Sequence, residues 1–452
     1  YCAQRDLHSF PTRRSSDLNQ TNPQKINSRN WAIMSALAIT GQIAWAVENT
    51  WFNNFVYDTI TPDPGPVAWM VAASAIVATL TTILMGTLSD RTRSHWGRRK
   101  PFILLGYVFW GLMTILFPMT AFVKNVSLAV VMVVLVDCLM TFFGSTANDA
   151  AFNAWTADIT PNHQRGKVEG VLNLCLFVAQ LISIVAAGIL IDNLGYFTFF
   201  YLLGGIVMVV GLVAGSALRE EPISGQATIK SYFWQEIGAT FDFKNILSNK
   251  VLFIILLSGM LLGIGFQVAF PYMVIYLNHT IGVTKSQYAV IGGGVIIGSA
   301  LLAIPLGNLA DRVNRKIMLA ISIITTCVGC FLFSLVHSMT LLALAGLIWQ
   351  AANMAAGIVS NSWLKAMLPE QSRGRFLGVP LIFVVLLPML IGPRIGSSII
   401  QTYGVPTVLD GKPGFLPVAL IFQVGAFLGL LAVLPLQLLK GKVTVGKMEL
   451  ND

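Results

Sequence analysis

Glu48, Asp137, Asp149 and Arg394 stand inside apolar stretches long enough to span a bilayer. A charged side chain at bilayer depth costs at least about 2.5 kcal/mol, so such groups face a protein interior or a water-filled cavity and are rarely idle. A carboxyl in apolar surroundings has one natural chemistry, which is to take up a proton and give it back. Protonation makes the group neutral and removes most of the cost of burying it. Asp149 and Glu48 are therefore the candidate cation-coupling acids. In the same stretch as Asp149, the residues Asp137, Thr141, Ser145, Asp149 and Asn153 recur every four positions. That spacing keeps them near one helix face over about 24 Å at 1.5 Å per residue. The stripe is expected to face a cavity, with hydrogen bonding between helices as the alternative reading. For Asp137 the two readings are even.

A second set of residues suits recognition of a neutral, hydroxyl-rich solute. Gln42, Trp45, Asn49 and Asn53 share the first apolar stretch, and Asn153 ends the stripe. Asn173 and Gln180 follow, then Gln267 and Tyr272, then Trp349, Gln350 and Asn353. A tryptophan with an amide within one turn can stack a flat apolar face while hydrogen bonding the hydroxyls at its rim. Trp45 and Trp349 are equally well read as core residues. Trp51 and Trp69 are expected at the membrane–water interface, where tryptophan is common. Arg394 follows Gly392-Pro393. Proline removes a backbone hydrogen bond, and broken segments are tolerated where they line a cavity. Arg394 is thus a candidate for binding an anionic group, with snorkelling to the surface as the alternative.

The elements that must position these groups are apolar helices. Hydrophobic residues make up 55% of the 452-residue chain and charged residues 11%, against about 25% charged in a soluble domain. Apolar runs predict twelve membrane helices at 31–57, 66–88, 101–123, 126–148, 168–191, 194–217, 251–277, 285–309, 316–336, 340–365, 374–402 and 414–439. Residues 317–364 contain no Asp, Glu, Lys or Arg, and the break there is placed at His337-Ser338. The fold class is all-α and polytopic. A tail at 1–30, with 1–18 read as non-native sequence, precedes a first six-helix bundle at 31–217. A loop at 218–250, a second bundle at 251–439 and a tail at 440–452 follow. Aromatic residues from Tyr232 to Phe243 in the loop fit either a surface helix or a plain linker. With both termini inside, 25 of the 29 Lys and Arg fall on inner loops and tails, and Lys124, Lys285 and Lys412 fall outside. That asymmetry predicts both termini cytoplasmic, with the plasma membrane as the expected location, and it explains the net charge of +9 without nucleic acid.

Two phrases recur about half a chain apart. Gly86-Thr-Leu-Ser-Asp90-Arg91 returns as Gly307-Asn-Leu-Ala-Asp311-Arg312, and Pro161-Asn-His-Gln-Arg165-Gly166 returns as Pro369-Glu-Gln-Ser-Arg373-Gly374. Duplicated halves are how many secondary transporters are built. The hairpin from Gly86 continues through Asp90-Arg91-Thr-Arg93-Ser-His-Trp96-Gly97-Arg98-Arg99-Lys100. Gly86 and Gly97 are expected to allow close approach and a tight turn. Asp90 and Arg98 are expected to act as a conformational latch, joined by Arg91, Arg165, Asp311, Arg312 and Arg373. Arg93, Arg99 and Lys100 are read as setting topology only.

Gly-x-Leu-x-Asp-Arg followed by Gly-Arg-Arg-Lys resembles the helix 2–3 signature of the major facilitator superfamily. The run Thr92 to Ile103 is similar, more narrowly, to the glycoside–pentoside–hexuronide cation symporters and the related sucrose–proton symporters. The resemblance implies two six-helix bundles, a central solute site and alternating access. The run Asn148-Asp149-Ala-Ala-Phe152 resembles the helix 4 segment of the glycoside symporters, where an aspartate serves the sugar and cation sites. Trp45-Ala-Val-Glu48 resembles a polar position of the sucrose-type relatives. Sodium-using members carry two helix 2 acids where this chain has Ala78 and Thr82, which favours protons over sodium. Drug–proton antiporters of the same fold carry a Gly-Pro-rich helix 5, whereas residues 168–191 contain no proline. Export of drugs or other amphiphiles is the alternative function.

No nucleophile–base pair, phosphate loop or metal cluster is recognisable, so neither an enzyme, a cofactor nor a metal is expected. Cys327-x-x-Cys330 lies in an apolar run without a second ligand pair and reads as packing. The expected partners are a small solute, a sugar by preference, protons and the bilayer, with the chain acting as a monomer.

Overall fold

The structure, a computed structural model, describes residues 26–220, 238, 249–367 and 378–439. Helix starts follow local capping chemistry. Asn27, Asp63, Asn125, Asn249 and Asn314 each accept a backbone N–H with the side chain at a helix entry, and Thr284 with Gln287 forms a reciprocal capping box. Such caps satisfy amides that have no partner inside the helix. The helices are α1 (Ser28–Ile60), α2 (Pro64–Arg91), α3 (Lys100–Phe122) and α4 (Val126–Ile159). The next element, Asn162–Ala217, bends at Gly195, whose φ of 78° and ψ of 167° are non-helical. It therefore holds α5 and α6 on either side of that glycine. α7 (Lys250–Ile281), α8 (Lys285–Arg312), α9 (Arg315–Leu335) and α10 (Met339–Met367) follow. α11 (Gly378–Tyr403) and α12 (Leu420–Gln437) close the order.

Among the described residues, 11 stretches are long and apolar enough to cross a membrane, and the divided one makes the expected twelve. The break at 336–338 lies where it was expected. The last helix does not begin at 414. An antiparallel hairpin, β1 (Val405–Leu409) and β2 (Lys412–Leu416), occupies that segment. Its turn is Asp410-Gly411, with φ of 48° and 75°. A two-residue turn with both central residues at positive φ is the one that Asp-Gly favours.

α1–α6 pack chiefly on one another, as do α7–α12, and the two sets meet along α2 with α11 and α5 with α8. The Arg29 guanidinium donates to the Ala217 carbonyl at the end of α6. Lys316 Nζ donates to the Leu439 carbonyl, 2.6 Å away, just past α12. The first and last helices thus end on one side, the termini face. Leu212, Val213, Val290, Leu301 and Phe427 point outward and are exposed, the apolar exterior that lipid requires. Residues of the tail at 1–25, most of the loop at 218–250 and the tail at 440–452 lie outside the described residues.

Candidate functional site

Between the two helix sets lies a cavity of about 460 Å³, within the roughly 300–1,000 Å³ of small-molecule sites. Its polar wall is amide: Gln42 and Asn49 from α1, Gln180 from α5, Gln267 from α7, and Gln350 and Asn353 from α10. Its apolar wall is aromatic: Trp45, Phe266, Phe270, Tyr288, Phe333 and Trp349. No charged side chain belongs to that wall among the described residues. Asn49 Nδ2 is committed to the Trp45 carbonyl at 2.8 Å, which leaves its carbonyl oxygen for the cavity. Gln267 Oε1 is buried without a hydrogen-bond partner. The aromatic residues are braced by one another and by rings behind them. Trp45 packs on Trp110 with ring centres 5.1 Å apart, and Trp349 on Phe266, Phe333 and Phe422 at 5.7, 5.6 and 6.0 Å.

The acids lie beside the cavity, inside the first helix set. Glu48 and Asp149 both sit on π-helical turns, Glu48–Phe52 and Ser145–Phe152, a widening that often marks functional sites. Asn148 Nδ2 donates to Asp149 Oδ1 at 3.0 Å, while Tyr107 Oη lies 3.1 Å from Asn148 Oδ1. Trp45 Nε1 and Ser145 Oγ are next to the Asp149 carboxyl and have no hydrogen-bond partner within normal distance. Trp45 is thus shared between the cavity and Asp149. Glu48 Oε1 lies 3.0 Å from both Ser74 Oγ and Thr141 Oγ1, and these hydroxyls are 2.6 Å apart. Among the described residues, no salt bridge reaches Glu48, Asp137 or Asp149.

The stripe on α4 does not face the cavity. Asp137, Thr141 and Ser145 are buried between helices, Asp149 is half-buried, and Asn153 is exposed and bonded to the Asp149 carbonyl. The interhelical alternative is the one observed, because Ser74 of α2 and Glu48 of α1 meet the stripe from the other side.

The far face, opposite the termini, is closed by a polar cluster that joins the two sets. Asp58 of α1 accepts from Tyr196 of α6 at 2.7 Å and Asn54 at 3.3 Å, and pairs with Lys285 of α8 at 3.2 Å. His279 Nε2 of α7 lies 2.7 Å from the same carboxyl. The hairpin adds a strap. Tyr57 Oη donates to the Phe415 carbonyl at 2.6 Å, Phe415 N to the Pro62 carbonyl at 3.0 Å, and Lys412 Nζ to the Thr59 carbonyl at 2.8 Å. Sequence reading missed both, because each needs partners far apart in the chain.

On the termini face, the loop between α2 and α3 is bound to neighbouring helix ends. Arg99 is buried, pairs with Asp90, donates to Ser89 Oγ at 2.5 Å and reaches Asp158 at 3.4 Å. Arg98 pairs with Asp158 at 2.6 Å. Glu220, past the end of α6, accepts the backbone amides of Arg98, Arg99 and Lys100, a carboxylate at a helix start as the helix dipole favours. Gly97 takes φ of 110° against Glu220 and is required there. The reading of Arg99 as a topology residue is corrected, since its guanidinium joins Asp90 to Asp158. Gly86 is corrected too, because a methyl group there would meet open space. Arg91 is half-buried, and Arg165 and Arg312 are exposed at helix ends. Arg373 and the Asp311 side chain lie outside the described residues.

Of the nine candidate solute contacts, Gln42, Trp45, Asn49, Trp349, Gln350 and Asn353 are on the cavity wall. Asn153 and Asn173 are exposed elsewhere. Arg394 stacks over Trp69, 3.9 Å from the ring centre, on the outer surface, since the turn of α11 that buries Gly392 and Pro393 points the next residue away from the core. Trp51, expected at the interface, is buried and donates to the Ser183 carbonyl at 3.0 Å. Tyr288, Phe266, Phe270 and Phe333 complete the wall without having been singled out, because lone aromatics in apolar runs carry no signal of their own.

Residues 34–371 match the family described as MFS/sugar transport protein. Quinolone resistance protein NorA of Staphylococcus aureus is 23% identical over 172 residues, covering 37% of this chain and 43% of that protein. Multidrug resistance protein MdtG of Klebsiella pneumoniae (strain 342) is 23% identical over 258 residues, covering 56% and 60%. The matches thus span about half the length of these relatives. Among solved structures, a mutant of nucleoside transporter NupG superposes with a TM-score of 0.72 at 14% identity, over 90% of this chain and 98% of that one. A bacterial homologue of the human lysosomal transporter Spinster, inward-facing and occupied, gives 0.67 at 14%, over 91% and 96%.

Proposed function

This chain belongs to the MFS/sugar transport protein family, a family of membrane transporters rather than enzymes, and we propose that it carries a sugar or glycoside across the membrane in step with protons. The observation that supports this reading is the wall of the cavity. Six amides converge on it beside Trp45 and Trp349, with no charged side chain. Amides both donate and accept, as hydroxyl groups do, and tryptophan faces cover the apolar side of a ring. An ionic solute would lack a counter-charge there.

The acids beside the cavity support proton coupling. A carboxylate without a cationic partner is costly to bury, so Asp149 and Glu48 carry protons when the bundle closes around them. Trp45 touches both the solute space and Asp149, and thereby links solute binding to the state of that acid. The far-face cluster around Asp58 must separate for the cavity to open on that side, which is the step alternating access needs. Both termini are cytoplasmic on this reading, as the placement of Lys and Arg favours, and the chain acts as a monomer in the plasma membrane.

Export of drugs or other amphiphiles is the second reading, supported by the similarity to two resistance proteins. One experiment separates the two. Proteoliposomes carrying a pH-sensitive dye are offered a panel of mono- and disaccharides, and in parallel a cationic fluorescent drug. The expected result is proton movement triggered by one sugar and abolished in Asp149→Asn. Drug extrusion with no sugar response would replace the proposal with the second reading.

A further inference from the structure

The triangle of Glu48, Ser74 and Thr141 contains three close oxygen contacts, at 3.0, 3.0 and 2.6 Å. A hydroxyl brings one proton and an ionised carboxylate brings none. Two hydroxyl protons cannot serve three contacts. If both hydroxyls donate to Glu48, the 2.6 Å contact between them is left with two oxygens and no hydrogen. A third proton, on Glu48, completes the set.

A second acid is at hand. Asp137 lies one turn before Thr141 on α4 and next to Ser74 Oγ. It is 1% exposed and Glu48 is 7% exposed. Each keeps one oxygen without a partner, Glu48 Oε2 and Asp137 Oδ1. The titratable groups around the pair are Asp149, farther along α4, and Cys138 beside Asp137. α2 brings Ser74, and no lysine, arginine or histidine pairs with either acid among the described residues. Two carboxyls that meet the same serine in apolar surroundings are costly to ionise together.

The geometry points to a proton-binding site formed by Glu48 and Asp137 with Ser74 and Thr141, separate from Asp149 and off the cavity wall, in which Ser74 links the two acids and one proton is held between them on Glu48 or Asp137. In its transport role, though not in its existence, it rests on the proton-coupled reading above. The proton leaves Glu48 or Asp137 for water when the α1–α2–α4 packing loosens, and returns when it closes. No bond other than O–H forms or breaks.

Infrared spectroscopy of the purified full chain reads the site without transport. At neutral pH the carbonyl stretch of a protonated carboxylic acid is expected in the wild type and in Asp149→Asn. The share of that band that belongs to the site is expected to be lost in Glu48→Gln/Asp137→Asn, whatever Asp149 contributes, and to shift in Glu48→Gln alone, which keeps the side-chain shape. Identical spectra in wild type and double variant would overturn the site, as would a band that disappears on adding sodium at fixed pH. In proteoliposomes, the double variant is expected to lose at least ten-fold of its pH-driven accumulation. A wild type without solute-linked proton flux would sink the proton-coupled reading, while the infrared result still decides the site.

Discussion

In the proposed mechanism Trp45 ties solute to proton, because its ring faces the cavity and its Nε1 faces Asp149. Trp45→Phe keeps the stacking surface and removes the donor. The expected outcome is nearly unchanged solute binding with uptake that no longer follows the pH gradient, whereas Trp45→Ala weakens binding about ten-fold, or 1.4 kcal/mol. Binding by isothermal calorimetry beside gradient-driven uptake checks both. Arg99 makes the opposite kind of contribution, to stability. Its guanidinium is buried among Asp90, Ser89 and Asp158, and losing it strands hydrogen-bonded groups, each worth about 1–3 kcal/mol when buried. Asp90 and Asp158 are 58% and 44% exposed, so water recovers part of that loss. Arg99→Ala should therefore lower the unfolding midpoint clearly in a thermal melt, and Arg98→Ala, whose pair is half-exposed, much less.

At the scale of elements, the crossing of α5 and α8 depends on Gly188. A Cβ there would stand 2.6 Å from the Lys285 carbonyl and 2.9 Å from Ala289 Cβ, so the helices touch through their backbones, as small residues permit in membranes. Gly188→Leu drives a wedge between the two sets at the far face. Its expected effect is loss of most transport with surface expression retained, measured as uptake per inserted molecule. A full-rate variant would show that this contact is not needed for the closed far face. The helices themselves were legible, since apolar runs and two repeated phrases mark them, and the amides of α1 and α10 could be picked out beside their tryptophans. The hairpin was not, because Val405–Leu409 and Phe415–Leu416 read as more apolar chain. Asp410-Gly411 was the available signal. The α4 stripe was legible as one face, but spacing names no partner. Only the position of Ser74 on another helix turns that face inward, and only long-range pairing reveals Asp58 with His279 and Lys285.

The whole molecule is two helix sets tied at the far face, and the strength of that tie decides how often the cavity opens there. Asp58 carries most of it, since one carboxylate meets Tyr196, Asn54, His279 and Lys285 from both sets while being 12% exposed. Breaking a fully buried pair costs about 3–5 kcal/mol. His279 and Lys285 are 24% and 21% exposed, and they regain water once the face opens. A net bias of about 2 kcal/mol, close to thirty-fold in population at 1.4 kcal/mol per factor of ten, is the expected effect of Asp58→Asn. The reporter is Asn49→Cys on the cavity wall, with the five native cysteines replaced by alanine and a membrane-impermeant thiol reagent added from the far side. Labelling should rise by about that factor in Asp58→Asn. Lys412→Ala, which loses a single bond to the Thr59 carbonyl, should change it only a few-fold, by about 1 kcal/mol or less. Equal labelling with and without Asp58 would mean that the helix crossings, not the ion cluster, hold the far face shut, and the closing force would then be sought in the α2–α11 and α5–α8 contacts.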